Sequence, residues 1–457
     1  MTGDPSSESP STASWRTFLT LWWSQSISNL ATNVGWFAVI VYLTTDVFAA
    51  PSQRADLALA LGAMGLMTSV PQLVLGAWAG SVTDRHSRRA VMLVCDSIGA
   101  LVALGITLMV WSGVQNVALL LLAVFAARLA EIFHASAFEA SYSMLIPESG
   151  LARANGLMQT SYSVGYVAAP ALAALIIALP GRFPDALWGL KSGVGLAMAL
   201  DSASFVLAAL VLIRLRIPSP QERPAPGQKA DFRGDFQLGW QYIWQRRPLL
   251  MLLLTLGVTN VANAPLILYE PLLAKFSLAA DFAARGLNFE SGFAVMTTTT
   301  AVGTLLGGLI VTSWGGLKTR RVYGVLLPLL GMALSVVVLG LSKSLIVSCA
   351  ALLVFGTSFP LVGAHAAALW MSQVPPPLQG RVFGVRSTIS RSTIPFAMAA
   401  FSVLSARFAP GPVVVALGAL SALTLTLALL SPWVRRVEDR EYLESLAAPA
   451  GEASASD

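Results

Sequence analysis

Three residues in one apolar run could do chemistry: Arg128, Glu131 and His134 recur at three-residue intervals. On a helix that spacing lines them along one face. An ionisable group inside a membrane span costs about 2.5–3.5 kcal/mol on insertion scales, so each needs a partner, a wet cavity or a task. Arg128 and Glu131 can pair directly. A carboxylate beside a guanidinium in a cavity can move between a paired and a protonated form as water enters, which is proton-carrying chemistry. The same three residues also fit a permanent ion pair that does nothing but hold a helix.

Other apolar runs carry single polar groups. Gln25, Ser28, Asn29 and Trp36 fall in the first, Asn260, Asn263 and Glu270 in the seventh, and Thr357, Ser358 and His365 in the tenth. Amides and hydroxyls here suit either contact with a polar ligand or hydrogen bonds between helices. Asp96 and Asp201, alone in the third and sixth runs, read as structural pairing; Asp96 lies one heptad after Arg89, near the same face. The chain holds three histidines and two cysteines, Cys95 and Cys349, far apart in apolar runs. No metal site, disulfide framework or nucleophile–base pair emerges, so no cofactor and no enzyme is expected.

The elements that must position these groups are long apolar helices. Of 457 residues, 55% are hydrophobic and 11% charged, with mean hydropathy +0.70; soluble chains carry about 25% charge. A span needs roughly 20 apolar residues. By that measure runs lie at Phe18–Leu43, Leu57–Val82, Ala90–Val110, Val117–Phe138, Ala154–Leu179, Gly193–Ile213, Leu249–Leu273, Phe293–Ser313, Val322–Leu341, Leu345–Trp370, Val382–Phe408 and Val413–Val434. The pattern predicts an all-α membrane protein of about twelve spans. Its parts are a disordered cytoplasmic tail (1–17), a six-helix bundle (18–214), a linker (215–247), a second six-helix bundle (248–434) and a second cytoplasmic tail (435–457). Within the linker, Phe236, Trp240 and Trp244 recur every four residues and predict an amphipathic helix on the inner membrane surface. The net charge of +6 sits in short loops, which favours topology over nucleic acid as its cause. With both termini cytoplasmic, the inside gathers Arg85, Arg88, Arg89, Arg153, Lys318, Arg320, Arg321, Arg381, Arg435 and Arg436, while the outside keeps scattered cases such as Arg54 and Arg182.

The loop after the second run has its own pattern: Gly76, Gly80, Asp84, Arg85, Arg88 and Arg89. Glycines there would let a neighbouring helix come close. A shift of about 230 residues carries Gly76 to Gly308 and Arg88–Arg89 to Arg320–Arg321, and nearly the same shift carries Arg153 and Gly156 to Arg381 and Gly384. Two landmarks with similar offsets indicate duplication. In the second copy Gly316 stands where Asp84 would be. The loop resembles the G-x-x-x-D-R-x-x-R-R signature of the major facilitator superfamily. Gly165, Ala169 and Pro170 of the fifth run resemble the antiporter motif of its drug exporters, with alanine for the second glycine. Together with the Arg-x-x-Gly loops and the stretch from Asp201 to Phe205, the resemblance covers nearly the whole chain and is nearest the branch of macrolide efflux proteins and the enterobactin exporter.

That resemblance implies two pseudo-symmetric bundles that rock about a central cavity lined by the first, fourth, seventh and tenth helices. Gln25, Asn29, Trp36, Asn260, Asn263, Ser358 and His365 become the substrate contacts it implies, and Arg128, Glu131 and His134 the proton-coupling group. Asp84 and its arginines become a gate, and Gly165, Ala169 and Pro170 a hinge packed against the other half. The third and sixth helices are implied to lie away from the pathway. The implied activity is export of a small amphiphilic molecule by proton antiport, in a bacterial-type inner membrane, by a monomer whose partners are substrate, protons and lipid. Uptake by symport or facilitation is the alternative within transport; a membrane sensor or enzyme is the alternative outside it.

Overall fold

The computed structural model describes residues 12–183, 192–217 and 232–446. Most of both expected tails and the proline-rich start of the linker lie outside these residues. Among the described residues the chain is helical with no strand. Twelve helical spans are long and apolar enough to cross a membrane. Their outer faces expose large apolar side chains, such as Val74 at 66%, Leu101 at 68% and Phe396 at 74%. Surfaces of that kind on every helix require lipid, not water.

The first six spans are α1 (Thr12–Tyr42), α2 (Arg54–Arg85), α3 (Arg88–Trp111), α4 (Val117–Leu145), α5 (Glu148–Arg182) and α6 (Gly193–Arg214). A single π-helical turn, Leu43–Val47, extends the first. α7 (Phe232–Gln245) is the linker helix. The seventh span is broken into α8 (Arg247–Asn263) and α9 (Leu266–Phe276). After a short α10 (Ala279–Ala284) come α11 (Phe289–Trp314), α12 (Arg321–Leu341), α13 (Leu345–Gln373), α14 (Pro376–Arg407) and α15 (Pro410–Leu430).

The break corrects the continuous seventh span expected from hydropathy. Pro265 has no N–H to give the ladder and sits immediately before α9. The carbonyl of Ala262, freed at the break, accepts the Tyr269 hydroxyl at 2.8 Å. Prolines elsewhere, at 71, 170, 328, 360 and 395, are carried inside unbroken helices.

The chain divides into two compact units. One takes α1–α6 together with Phe289–Thr298, the first turns of α11; the other takes α7–α10, the rest of α11 and α12–α15. The first unit has an apolar cluster around Phe18, Leu21, Met92, Phe138, Met158 and Leu212, where α1, α3, α4, α5 and α6 meet. In the second, α11 and α13 approach backbone to backbone: a Cβ on Gly307 would stand 2.1 Å from the Thr357 carbonyl oxygen, and one on Gly356 2.2 Å from that of Thr300.

Helix α7 belongs to the second unit. Its Gly239 lies against the Arg381 backbone of α14, Tyr242 donates to the Gln373 carbonyl at 2.8 Å, and Asp235 pairs with Arg381 at 2.5 Å. Phe236 and Trp244 stay exposed on the opposite face. An apolar, aromatic outer face on a polar-anchored helix matches an interfacial helix.

Candidate functional site

The first unit encloses a cavity of about 560 Å³, within the range of small-molecule sites. Its walls come from α1, α3, α4, α5 and α6, with Thr68 of α2. Six sequence candidates meet here: Gln25, Asn29 and Trp36 from α1, and Arg128, Glu131 and His134 from α4. The three-residue spacing does place the α4 groups on one face. Arg128 reaches Glu131 at 2.6 Å and is tied to α2 by bonds to Gln72 at 2.9 Å and to the Thr68 carbonyl at 3.3 Å. Glu131 remains 58% exposed. The pair is thus fixed at its guanidinium end and open at its carboxylate end.

Asp96 and Asp201 each have a partner, as structural pairing requires, and both also line the cavity. Arg89 does not reach Asp96; it donates to the Leu212 and Ile213 carbonyls at 2.8 and 2.5 Å, capping the end of α6. Asp96 faces His134 across α3 and α4, with Nε2 3.2 Å from Oδ1. The atoms are close but not aligned, and neither Asp96 oxygen accepts a hydrogen bond. Asp201 accepts the Thr32 hydroxyl at 2.9 Å, and Gly35 makes room for it: a Cβ there would stand 3.1 Å from its Oδ2. The signal for both was a lone carboxylate in an apolar run. Gln72 was missed, although a glutamine inside an apolar run carries the same kind of signal.

The remaining first-unit candidates are structural in their contacts. In the signature loop, Arg88 donates to the Ala140 carbonyl at 2.6 Å and to the Met144 sulfur, closing the end of α4. Ala140 stands five residues before the end of α4, and the negative partial charge toward that end of a helix favours a guanidinium. Asp84 is exposed, 3.9 Å from Arg88. Among the described residues nothing lies within 4 Å of a Cβ on Gly80, and one on Gly76 meets only Gln72 of its own helix. Arg85 is exposed. A Cβ on Gly165 would stand 3.1 Å from Oδ1 of Asn29 on α1; Ala169 and Pro170, on α5 with Gly165, are buried.

The second-unit candidates lie on α8 and α13. Asn260 donates to the Ser390 carbonyl at 3.4 Å, bridging α8 and α14. Asn263 ends α8, its buried Oδ1 without a hydrogen bond. Ser358 bonds back to Val354 of its own helix. His365 is a latch and not an open ligand contact: Nδ1 donates to the Leu361 carbonyl at 2.7 Å, and Nε2 accepts from the Leu317 N–H at 2.9 Å. Its ring fills the space over Gly324 and Gly316. Among the described residues no group of three or more His, Cys, Asp or Glu could hold a metal ion.

Residues 21–398 match the sequence pattern of the Major Facilitator Superfamily. Macrolide efflux protein A of Streptococcus pyogenes is 26% identical over 401 residues, covering 86% of this chain and 89% of that protein. Multidrug efflux pump Tap of Mycobacterium tuberculosis is 27% identical over 349 residues, covering 72% and 75%. Among solved structures, that of the nucleoside transporter NupG superposes with a TM-score of 0.66 at 12% identity, covering 90% of this chain and 98% of that one.

Proposed function

The chain belongs to the major facilitator superfamily, and from that premise we propose that it exports a small amphiphilic molecule in exchange for protons. The macrolide and multidrug efflux proteins among its relatives favour the outward direction. The observation that carries the coupling is the Arg128–Glu131 pair: a 2.6 Å contact whose carboxylate opens into the cavity of an apolar bundle. Protonation of Glu131 releases Arg128 from a charge partner; deprotonation restores it. A membrane potential supplies about 2.3 kcal/mol per charge per 100 mV, ample for export. Alternating access by rocking of the two halves exposes the cavity to each side in turn, with Asp84 in the gate. Both termini lie in the cytoplasm, and a single chain is the working unit.

Reconstituted vesicles test this. An inside-acid gradient is imposed, and flux of a macrolide and other amphiphiles is followed in both protein orientations. Glu131→Gln is expected to lower gradient-driven flux at least tenfold, and Asp84→Ala to lose transport while keeping substrate binding. Unchanged gradient-driven flux in Glu131→Gln removes Glu131 from the proton path.

A further inference from the structure

We propose that Arg391, in the middle of α14, is the binding point for a carboxylate carried by an amphiphilic substrate. The proposal rests on the export reading for one step, the withdrawal of water as the halves rock, and it narrows that reading to anionic cargo.

Helix α14 carries more positive charge than a membrane span can leave unanswered. Arg391 is the sixteenth of its 32 residues, and Arg386 stands five positions earlier. A carboxylate can relieve a poor environment by taking up a proton; a guanidinium keeps its charge and needs water or an anion. Among the described residues no ion pair includes either arginine. One carboxylate, Glu270 of α9, lies in the spans of the second unit, and it is buried with the Thr300 hydroxyl donating to it at 3.0 Å. Arg386 has a neighbour of another kind, since its guanidinium lies 5.1 Å from the ring centre of Trp370 on α13. That contact supplies an aromatic face to the cation. Arg391 is exposed and makes no hydrogen bond among the described residues.

The face of α14 that bears Arg391 is wet. Arg381, Gly384, Thr388 and Arg391 recur at intervals of three and four residues, so they share one side of the helix, and all four are exposed. A Cβ on Gly384 would have nothing within 4 Å. Past Arg391 the same side turns apolar and buried, with Pro395 and Met398. A mid-span arginine borders water and not lipid, so this side lines a groove that runs from the start of α14 and ends at Arg391. Duplication shows that the fold does not require the charge. Between Arg153 and Pro170 in the first copy no residue is charged, whereas Arg386 and Arg391 stand between Arg381 and Pro395 in the second. A positive groove with low-dielectric walls concentrates anions. When rocking withdraws the water, the charge must travel with a counter-ion. A carboxylate is matched to it, because a guanidinium donates two parallel hydrogen bonds to the two oxygens.

The test titrates the purified full-length protein, in phosphatidylcholine nanodiscs, with dansylglycine, a fluorescent amphiphilic carboxylate. The neutral dansylglycinamide serves as its control. Dansylglycine is expected to bind at least tenfold more tightly than the amide. Arg391→Gln should weaken dansylglycine at least tenfold and leave the amide within twofold, while Arg386→Gln should change either by less than threefold. Octanoate should displace the bound probe and octanamide should not. Equal binding of the two probes, or unchanged dansylglycine affinity in Arg391→Gln, overturns the proposal. Displacement by short-chain phosphatidylglycerol but not by octanoate assigns Arg391 to a lipid headgroup and overturns it too. Should Arg391→Gln fail to purify as folded protein, Thr388→Cys in a Cys95→Ser, Cys349→Ser background supplies the readout, because Thr388 is exposed one turn before Arg391. Dansylglycine should slow alkylation there at least tenfold; an unchanged rate overturns the site. Arg391-dependent binding without gradient-driven flux of any compound would sink the export reading and keep the anion site. Gradient-driven efflux of a macrolide with no dansylglycine binding would do the reverse.

Discussion

In the first unit the inward faces of α1, α3, α4 and α6 carry Asn29, Asp96, His134 and Asp201 around open space. In the second, α11 and α13 present Gly303, Gly307 and Gly356, and their backbones touch. At these two places the bundles fill their interiors in opposite ways. Small residues remove space and add dispersion contact; polar groups hold space open and leave demands unmet, as at Asp96. The contrast is one of place and not of whole bundles, since the first unit is as tight where α5 meets α6: a Cβ on Gly193 would stand 2.2 Å from the Ile177 carbonyl oxygen.

The largest expected effect tests that contrast by adding one methyl group to each unit. A Cβ at Gly307 would stand 2.1 Å from the Thr357 carbonyl oxygen, so Gly307→Ala forces two helices apart. Overpacking of this kind costs about 1–3 kcal/mol. Gly105 on α3 has nothing within 4 Å of its Cβ position, and Gly105→Ala should be neutral or stabilise by about 0.4–1 kcal/mol. Thermal unfolding of both variants in detergent reads the difference. Equal Tm values would break the comparison.

A second, smaller effect is expected where the two halves use the same device. Arg88 and Arg321 are each the first residue of the third long helix in their half, and each donates to a carbonyl near the end of the next. The first contact is 2.6 Å and the second 3.4 Å. Arg88 also touches the Met144 sulfur, while the backbone N–H of Arg321 is held by Glu438 at 2.9 Å whatever its side chain. Arg88→Gln should therefore cost about 1.5–3 kcal/mol, the range for a charged hydrogen bond. Arg321→Gln should cost less than half of that. Denaturation midpoints of the two variants check the order; the reverse order would show that the second half leans on its loop more than the first.

Much of this was legible in the residues and some was not. Hydropathy runs end within a few residues of most helices because lipid exposure imposes one rule on every span. Phe236, Trp240 and Trp244 announced α7 because residues four apart share one face of a helix. The Arg128–Glu131 pair was legible because both groups lie on one helix, where spacing fixes distance. Asp96 and His134 lie on separate helices, and the register of one helix against another is set by packing that no single periodicity encodes. His365 looked like a ligand contact and is a latch, since Leu317, 48 positions away, returns in a tight glycine turn to meet it. Pro265 breaks its span while Pro360 does not, so proline identity alone could not have placed the break.

The smallest expected effect separates the units by pH. The fourth long helix of each half opens with its first turn capped. In the first unit, α4 is capped by its own neutral Asn116, which accepts from the Leu119 N–H at 3.0 Å. In the second, α13 is capped from another element: Asp281 Oδ2 accepts the Leu345 N–H and the Arg285 Nε–H, both at 2.8 Å. The Arg285 hydrogen bond, then the Leu345 N–H, holds the Asp281 carboxyl below the usual aspartate range. A group with a depressed folded value stabilises fully above its unfolded value, near 3.9, and loses that contribution as pH falls through the folded value. The Tm gap between wild type and Asp281→Asn should thus be constant near neutrality and close on acidification. The gap for Asn116→Ala, about 1 kcal/mol for a lost cap, should persist, because no proton is involved. Thermal unfolding of the three proteins from neutral pH to below 4 decides it. Parallel curves for both variants would mean that Asp281 holds α13 through its shape and not its charge.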